Sequence, residues 1–204
     1  PKTQSALLEV MEERKVTVES TTRSVPSPFL VIATQNPSGT AGTQSLPEAQ
    51  VDRFMVSLSV GYPDFESELA MAMGVSEKSR VEEIRPAMDG NLLLKAQGAV
   101  CEVYLKESVS RYAVELIRAT REHRLLERGG SPRATIALVR MARAAAWLEG
   151  RDFVTPGDVE EQFPYVVRHR LMLNNAARLE HADKEAVTAE ILSAVRKPLM
   201  GKAQ

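Results

Sequence analysis

The chain has 204 residues, of which 44% are hydrophobic, so it is long enough for one large domain or two small ones with a buried core. Because 26 Lys and Arg side chains nearly balance 27 Asp and Glu side chains, the total charge does not indicate a general polyanion binder. A single cysteine, Cys101, excludes an internal disulfide, and with only three scattered histidines the chain offers no zinc site. Because the sequence has no leader-like segment and no long apolar run, we expect the cytoplasm rather than a membrane.

The first 62 residues carry the signals of an α/β fold. Residues 3–13 have a helical pattern, and residues 15–29 alternate, turn and return, which predicts a hairpin that ends in two prolines. The unbroken apolar run in "FLVIAT" (29–34) is typical of a strand covered on both faces. The segment "FMVSLSVGYP" (54–63) has apolar residues at period two and predicts a second strand.

From residue 63 to residue 204 helical periodicity replaces the strand signals, which predicts a helical bundle. One predicted helix face consists of Val109, Tyr112, Ala113, Leu116, Ile117 and Thr120, and another of Ile136, Val139, Met141 and the Ala-rich run to Leu148. "TPGDVEEQF" predicts a helix start, with Thr155 as N-cap, Pro156 at the first helical position and Asp158 completing a capping box. Cys101 and Trp147 lie in helical patterns and are expected in the core.

Charge is distributed unevenly along this second region. Residues 64–89 carry seven acidic against three basic side chains, a net charge of −4, and residues 111–143 carry eight arginines against three glutamates, a net charge of +5. Both segments are consistent with solvated helix faces. The arginines also allow a non-enzymatic nucleic-acid binder, and the acidic segment allows a helical adaptor that docks a basic partner.

Asn36 follows the predicted strand that ends at Ala33. In an open α/β sheet, ligands bind outside the carboxyl ends of the strands, so a polar side chain here faces a substrate. An asparagine can orient a water molecule or a phosphate oxygen, as phosphoryl transfer requires. The alternative is that the Asn36-Pro37 pair only ends the strand in a turn.

Arg53 lies between Asp52 and the first apolar residue of the second predicted strand. It is either a surface residue that pairs with Asp52 or Glu48, or an arginine finger that supplies positive charge to a phosphoryl transition state in a neighbouring subunit. Sequence spacing does not separate these two roles.

"RGGSPRAT" predicts a helix boundary with an unusual cation. Gly129 and Gly130 can end the preceding helix in a left-handed conformation, Ser131 is a ready N-cap, and Pro132 suits the first helical position. Arg133 then lies in the first turn, where a cation opposes the helix dipole unless an anion binds at the same end. The alternative is an exposed arginine with its head in water.

Five segments in order resemble the MoxR family of AAA+ ATPases: "PKTQSALLEVMEERKVTV", "FLVIATQNP", "SLPEAQVDRF", "GGSPRA" and "GRDFVTPGDV". The resemblance implies part of the AAA+ α/β core in residues 1–62 and the helical lid in residues 63–204. It implies that Asn36 is sensor 1, Arg53 the arginine finger and Arg133 sensor 2. It further implies ATP and Mg²⁺ as cofactors and a ring, commonly a hexamer. Such a ring remodels or matures partner proteins in the manner of a chaperone, often in the assembly of metalloenzymes or other complexes, with the client unspecified.

The sequence contains no GxxxxGK[ST] phosphate loop. In proteins of the family this loop and the acidic Mg²⁺-binding motif precede the position of Pro1, so the resemblance implies that the chain is inactive by itself and enters in mid-fold. Two sheet edges would then be open, which leads us to expect strand exchange between chains or rearrangement of the first 62 residues. An ATPase is the first prediction, and the nucleic-acid binder and the adaptor are the alternatives. The nucleic-acid binder has little support from aromatic residues that could stack on bases.

Overall fold

The computed structural model describes residues 10–11, 13–18, 20–35, 46–74 and 84–199. A hairpin and short helices are followed by a bundle of longer helices, which confirms the predicted class, α/β followed by all-α. In chain order the elements are β1 (Lys15–Val18), β2 (Thr21–Ser24), α1 (Glu48–Val51), α2 (Phe65–Ala72), α3 (Gly90–Glu102), α4 (Glu107–Glu122), β3 (Leu126–Arg128), α5 (Pro132–Leu148), α6 (Pro156–Val167), β4 (Met172–Leu173), α7 (Asn175–Leu179) and α8 (Lys184–Ala194).

The predicted hairpin is confirmed. β1 and β2 pair in antiparallel fashion, with Lys15 opposite Ser24 and Thr17 opposite Thr22. The hydroxyl oxygens of Thr17 and Thr22 lie 3.0 Å apart, so a cross-strand hydrogen bond supports this register. Most of the helix predicted before the hairpin lies outside the described residues.

The two buried strands predicted at residues 29–34 and 54–60 do not form. Both segments lack strand structure, and side chains that were expected in a core are exposed, as Leu30 (79% exposed) and Leu58 (70% exposed) show. A strand is held by hydrogen bonds to a neighbouring strand, and neither segment has such a neighbour within the described part of the chain. Strand exchange between chains stays a prediction.

The buried apolar core lies in the second region, between Val103 and Ile191. On α4 the buried residues are the six that the periodicity predicted, so that helix face is confirmed. Its large side chains Tyr112, Leu116 and Ile117 pack with side chains of α5, α6 and α8 in one cluster. None of the helices within the described ranges combines the length and apolarity that a membrane crossing requires.

The predicted buried face of α5 is only partly correct. Ile136 is 55% exposed and Leu148 is 77% exposed, whereas Val139 and Met141 only border the core. The helix buries one leucine and a row of alanines (Ala134, Ala137, Leu138, Ala142, Ala146), of which Ala146 lies in the predicted Ala-rich run. Small side chains let neighbouring helices approach closely, and α5 contacts α3, α4 and α6.

Two further core predictions are wrong. Cys101 is exposed, and Trp147 keeps 37% of its surface in solvent. Trp147 lies on a helix that buries another face, and the helix that carries Cys101 has no buried residue.

The predicted cap of α6 is confirmed. The Thr155 side chain accepts from the backbone N–H of Asp158, whose carboxylate accepts from the backbone N–H of Thr155 in return, with Pro156 in the first turn. The Asp158 side chain is 4% exposed and also forms a bidentate ion pair with Arg151. Burial alone raises the pKa of Asp158, but the hydrogen bonds from Arg151 and Thr155 outweigh it and lower the pKa.

Candidate functional site

A short turn presents Asp52 and Arg53 to the helical bundle. α1 ends at Val51, and the backbone N–H groups of Arg53 and Phe54 donate to the carbonyls of Gln50 and Val51, both at 3.1 Å. These bonds close the turn and place Asp52 and Arg53 side by side at its surface, each partly buried. We call residues 52–55 the Arg53 loop.

The start of α5 forms the second part of the site. Ser131 is its N-cap and accepts from the backbone N–H of Arg133 at 3.2 Å, as predicted. The prediction that two glycines end the preceding helix is wrong, because α4 stops at Glu122 and β3 intervenes. Gly129 is needed for another reason: a Cβ atom there would lie 2.4 Å from the carbonyl carbon and oxygen of Thr120. The backbone N–H of Gly130 donates to the Thr120 hydroxyl at 2.8 Å.

Arg170, which follows α6, is the third part. Its side chain is 2% exposed, and its Nε donates to Oδ1 of Asp52 at 2.9 Å. Its Nη2 donates to the carbonyls of Asp52 (3.0 Å) and Phe54 (2.6 Å), and its Nη1 donates to the carbonyls of Met55 (3.2 Å) and Val166. Burial lowers the pKa of Arg170, and this effect exceeds the opposite effect of the ion pair with Asp52, which raises it.

The carboxylate of Asp52 joins these parts. The Ser131 hydroxyl donates to it, Arg170 pairs with it, and Nη1 of Arg133 lies 3.8 Å from its Oδ2. One partly buried anion therefore connects the Arg53 loop, the N-terminus of α5 and the segment after α6. We call Asp52, Ser131, Arg133 and Arg170 the Asp52 cluster.

His169 borders the Asp52 cluster. Its Nε2 lies 3.0 Å from the carbonyl oxygen of Phe54, which can only accept, so the neutral ring carries its proton on Nε2. Its Nδ1 is buried and has no hydrogen-bond partner among the described residues. Burial, helped by the neighbouring Arg170 cation, lowers the pKa of His169 to about 4.

The structure brings two of the three predicted site residues together. Arg53 is the neighbour of Asp52 in the Arg53 loop, and Arg133 lies within 3.8 Å of the same carboxylate. Asn36 lies outside the described residues. Sequence reasoning considered Asp52 only as a surface partner of Arg53 and missed Arg170, which belongs to no motif and carries no periodic signal.

The Asp52 cluster suits a negatively charged ligand at one position. The Arg133 side chain is 44% exposed at the N-terminus of a 17-residue helix, where the guanidinium and the helix amides favour an anion such as a phosphate. For Mg²⁺, no group of three His, Cys, Asp or Glu side chains in the described part of the chain could hold a metal ion.

Comparison with known proteins defines the class of protein. Residues 1–56 match the ATPase family associated with various cellular activities (AAA), and residues 118–191 match the AAA lid domain. The chain thus combines part of an AAA+ core with its lid. Its relatives narrow this class: the chain belongs to the MoxR family of AAA+ ATPases.

Three similar proteins illustrate this membership. The chain is 43% identical over its whole length to the Bacillus subtilis protein YeaC, described as uncharacterized, and spans 63% of it. It is 39% identical over 97% of its length to the chaperone MoxR1 of Mycobacterium tuberculosis and spans 54% of that protein. A crystal structure of a proposed ATPase from Cytophaga hutchinsonii is 38% identical and superposes with a TM-score of 0.87, covering 97% of this chain and 63% of the other. The chain thus spans less than two thirds of each.

Proposed function

We propose that this chain is the part of a MoxR-type ring ATPase that brings Arg53 and Arg133 to bound ATP. The whole protein would use ATP hydrolysis to remodel or mature partner proteins. The observation that carries the proposal is the Asp52 cluster, because a single carboxylate holds the Arg53 loop against the helix that carries Arg133. The name of the relative MoxR1, a chaperone, supports the remodelling role.

Arg133 is proposed as sensor 2, a residue of the lid that contacts bound ATP. Its guanidinium is partly exposed and has Asp52 at 3.8 Å, a longer separation than the 2.9 Å between Asp52 and Arg170. A phosphate group carries more negative charge than one carboxylate and accepts bidentate hydrogen bonds from arginine. Binding of ATP would therefore draw Arg133 from Asp52 to the phosphate, while Arg170 keeps Asp52 in place.

Arg53 is proposed as an arginine finger that acts in the neighbouring subunit. In a head-to-tail ring, such as a hexamer, each subunit presents the same surface to the nucleotide of the next one. A fixed guanidinium stabilises the charge that develops on the transferred phosphoryl group. Asn36 is proposed to orient the attacking water as sensor 1. Mg²⁺ bound with ATP would neutralise phosphate charge, held by residues of the complete protein.

The division into a core part (1–62) and a lid (63–204) belongs to the same proposal.

The chain's internal contacts favour the ATPase over the nucleic-acid binder. At least six of the eight arginines in residues 111–143 contact a carboxylate or a backbone carbonyl of the chain itself: Arg111, Arg118, Arg121, Arg124, Arg133 and Arg143. Arginines held in this way have fewer donors for a phosphate backbone.

The first test is the sequence encoded before Pro1, where we expect a GxxxxGK[ST] motif and then an acidic residue at a strand end. In a protein that contains these motifs together with residues 1–204, Arg53→Ala should lower kcat about 1,000-fold, the scale of an arginine finger. Arg133→Ala should mainly weaken ATP binding. Arg140→Ala, an exposed arginine on the same helix as Arg133, is the matched control and should leave both quantities unchanged. Normal turnover by the Arg53→Ala protein would refute the proposed role.

A further inference from the structure

Arg170 donates most of its hydrogen bonds to one short loop. Of the five hydrogen bonds that its guanidinium donates, four end on residues 52–55: one on the Asp52 carboxylate and three on the carbonyls of Asp52, Phe54 and Met55. The fifth ends on the carbonyl of Val166 in α6, the helix that precedes Arg170. The planar guanidinium thus holds the backbone of the Arg53 loop from the lid side.

Burying an arginine only to fill space is energetically unfavourable. Burying its charge removes hydration that only a counter-ion and several hydrogen bonds can replace, and an apolar residue fills such a space as well or better. An apolar residue cannot fix the positions of the three loop carbonyls of Asp52, Phe54 and Met55. Since the Asp52 side chain itself is 24% exposed, the interaction also lies at the surface where a ligand-dependent change can reach it.

Arg170 is also tied to the helix that carries Arg133. It lies two residues before β4, which pairs with β3, and β3 leads through Gly129 and Gly130 into the N-cap of α5. Ser131 at that N-cap donates to the Asp52 carboxylate that Arg170 holds. A short, hydrogen-bonded connection therefore runs from the Arg133 helix to the Arg53 loop.

Building on the proposed function, we propose that Arg170 is a positioning residue that fixes the Arg53 loop to the lid. When the lid moves in response to ATP at Arg133, the Arg53 loop moves with it. Nucleotide contact at Arg133 is thereby linked to the position of Arg53 through Asp52 and Arg170. Arg170 itself contacts no nucleotide.

The positioning role is tested first by amide hydrogen exchange of the 204-residue chain. Arg170→Met should raise exchange at the amides of Arg53, Phe54 and Ser57 about tenfold or more, with the amides of α4 unchanged, as local opening of one unit predicts. The Ser57 amide is a direct reporter because it donates to the carbonyl of Tyr165 on α6 at 3.0 Å. Arg170→Lys, which keeps the charge but not the fork of donors, should give an intermediate increase.

Arg168→Met is the matched control. Arg168 lies two residues earlier and pairs with Glu185 at 3.2 Å, on another face of the lid. Its replacement should leave exchange in the Arg53 loop unchanged. The inference is overturned if Arg170→Met leaves the loop amides as protected as before, or if it raises exchange equally throughout the lid, since that result shows a purely structural role.

Turnover separates this inference from the proposed function. In the protein with intact ATP-binding motifs, Arg170→Met should lower kcat about 100-fold through misplacement of Arg53. The KM for ATP should stay within about twofold, because Arg53 acts on the neighbour's nucleotide. Arg53→Ala combined with Arg170→Met should be no slower than Arg53→Ala alone.

The outcomes differ for the two proposals. If Arg53→Ala loses turnover and Arg170→Met does not, the coupling is refuted and the arginine finger stands. If Arg53→Ala turns over normally, the finger is refuted, and the exchange experiment alone decides whether Arg170 positions the loop.

Discussion

The Ser131 hydroxyl donates to both carboxylate oxygens of Asp52, at 3.1 Å to Oδ1 and 2.9 Å to Oδ2, across 79 residues of sequence. The same oxygen atom accepts from the backbone N–H of Arg133 and so caps α5. One hydroxyl group therefore fixes both the start of a helix and the position of a distant loop. The stability of the lid and the position of Arg53 should be linked through Asp52.

Asp52→Ala should lower the free energy of unfolding by about 3 kcal/mol, since it leaves the Arg170 charge buried without its counter-ion. Urea denaturation of the 204-residue chain measures this change. Glu180→Ala is the control, because Glu180 pairs with Arg124 at 2.6 Å in an ion pair whose side chains are 60% (Arg124) and 45% (Glu180) exposed. That exposed pair should contribute less than about 1 kcal/mol. Equal losses from the two variants would contradict the role of the Asp52 cluster.

Gly129→Ala should destabilise the protein by about 2 kcal/mol or more, as overpacking against a backbone does. The added Cβ would lie 2.4 Å from the carbonyl of Thr120, where no flexible side chain can move away. Gly98→Ala is the matched substitution, since Gly98 lies in α3 with nothing within 4 Å of the added atom. It should stabilise the helix by about 0.5 to 1 kcal/mol. Thermal unfolding of both variants checks the opposite signs.

Asp158→Ala should reduce the free energy of unfolding by about 3 kcal/mol, because it breaks a buried ion pair with Arg151 as well as a capping box. Asp183 offers a comparison without a buried charge. It caps α8 by accepting from the backbone N–H of Ala186 at 2.7 Å, and Asp183→Ala should remove about 1 kcal/mol. Guanidinium denaturation of the two variants measures the difference, and similar values would argue against the contribution of Arg151.

Stability should fall as the pH is lowered from about 6.5 to 4, because of His169. The pKa of His169 in the folded chain is about 4, below the value of 6.5 for an ordinary histidine, so the unfolded chain binds the proton first. The stabilising contribution is complete above pH 6.5 and is lost as the pH falls toward 4. Such a shift corresponds to at most about 3 kcal/mol, and screening by solvent reduces the expected loss to about 1 to 2 kcal/mol.

His169→Gln is the variant that isolates this effect. Glutamine can donate to the carbonyl of Phe54 as the neutral histidine does, but it does not titrate. Urea denaturation at pH 7.5 and pH 5 should show a smaller pH-dependent loss for this variant than for the parent chain. An unchanged loss would assign the pH dependence to other groups.

Patterns within a few residues predicted the local structure well. The cap at Thr155 and the N-cap at Ser131 were correct because a capping side chain bonds to an amide only two or three residues away. The buried face of α4 was correct because its apolar stripe is opposed by charged residues on the other side. α5 has no such contrast: its alanines suit either face, so only its neighbours decide which side is buried.

The amino-acid sequence by itself determined the helical lid, its caps, the hairpin and the membership of the MoxR family, since all of these depend on short-range patterns or on segments in a given order. Only the tertiary structure revealed that Asp52 receives Ser131 from 79 residues away and Arg170 from 118 residues away. It also decided that residues 29–34 and 54–60 form no strands. The reason is physical: hydrogen bonds between distant segments depend on which surfaces meet after the chain has folded, and a linear pattern carries no record of the partner.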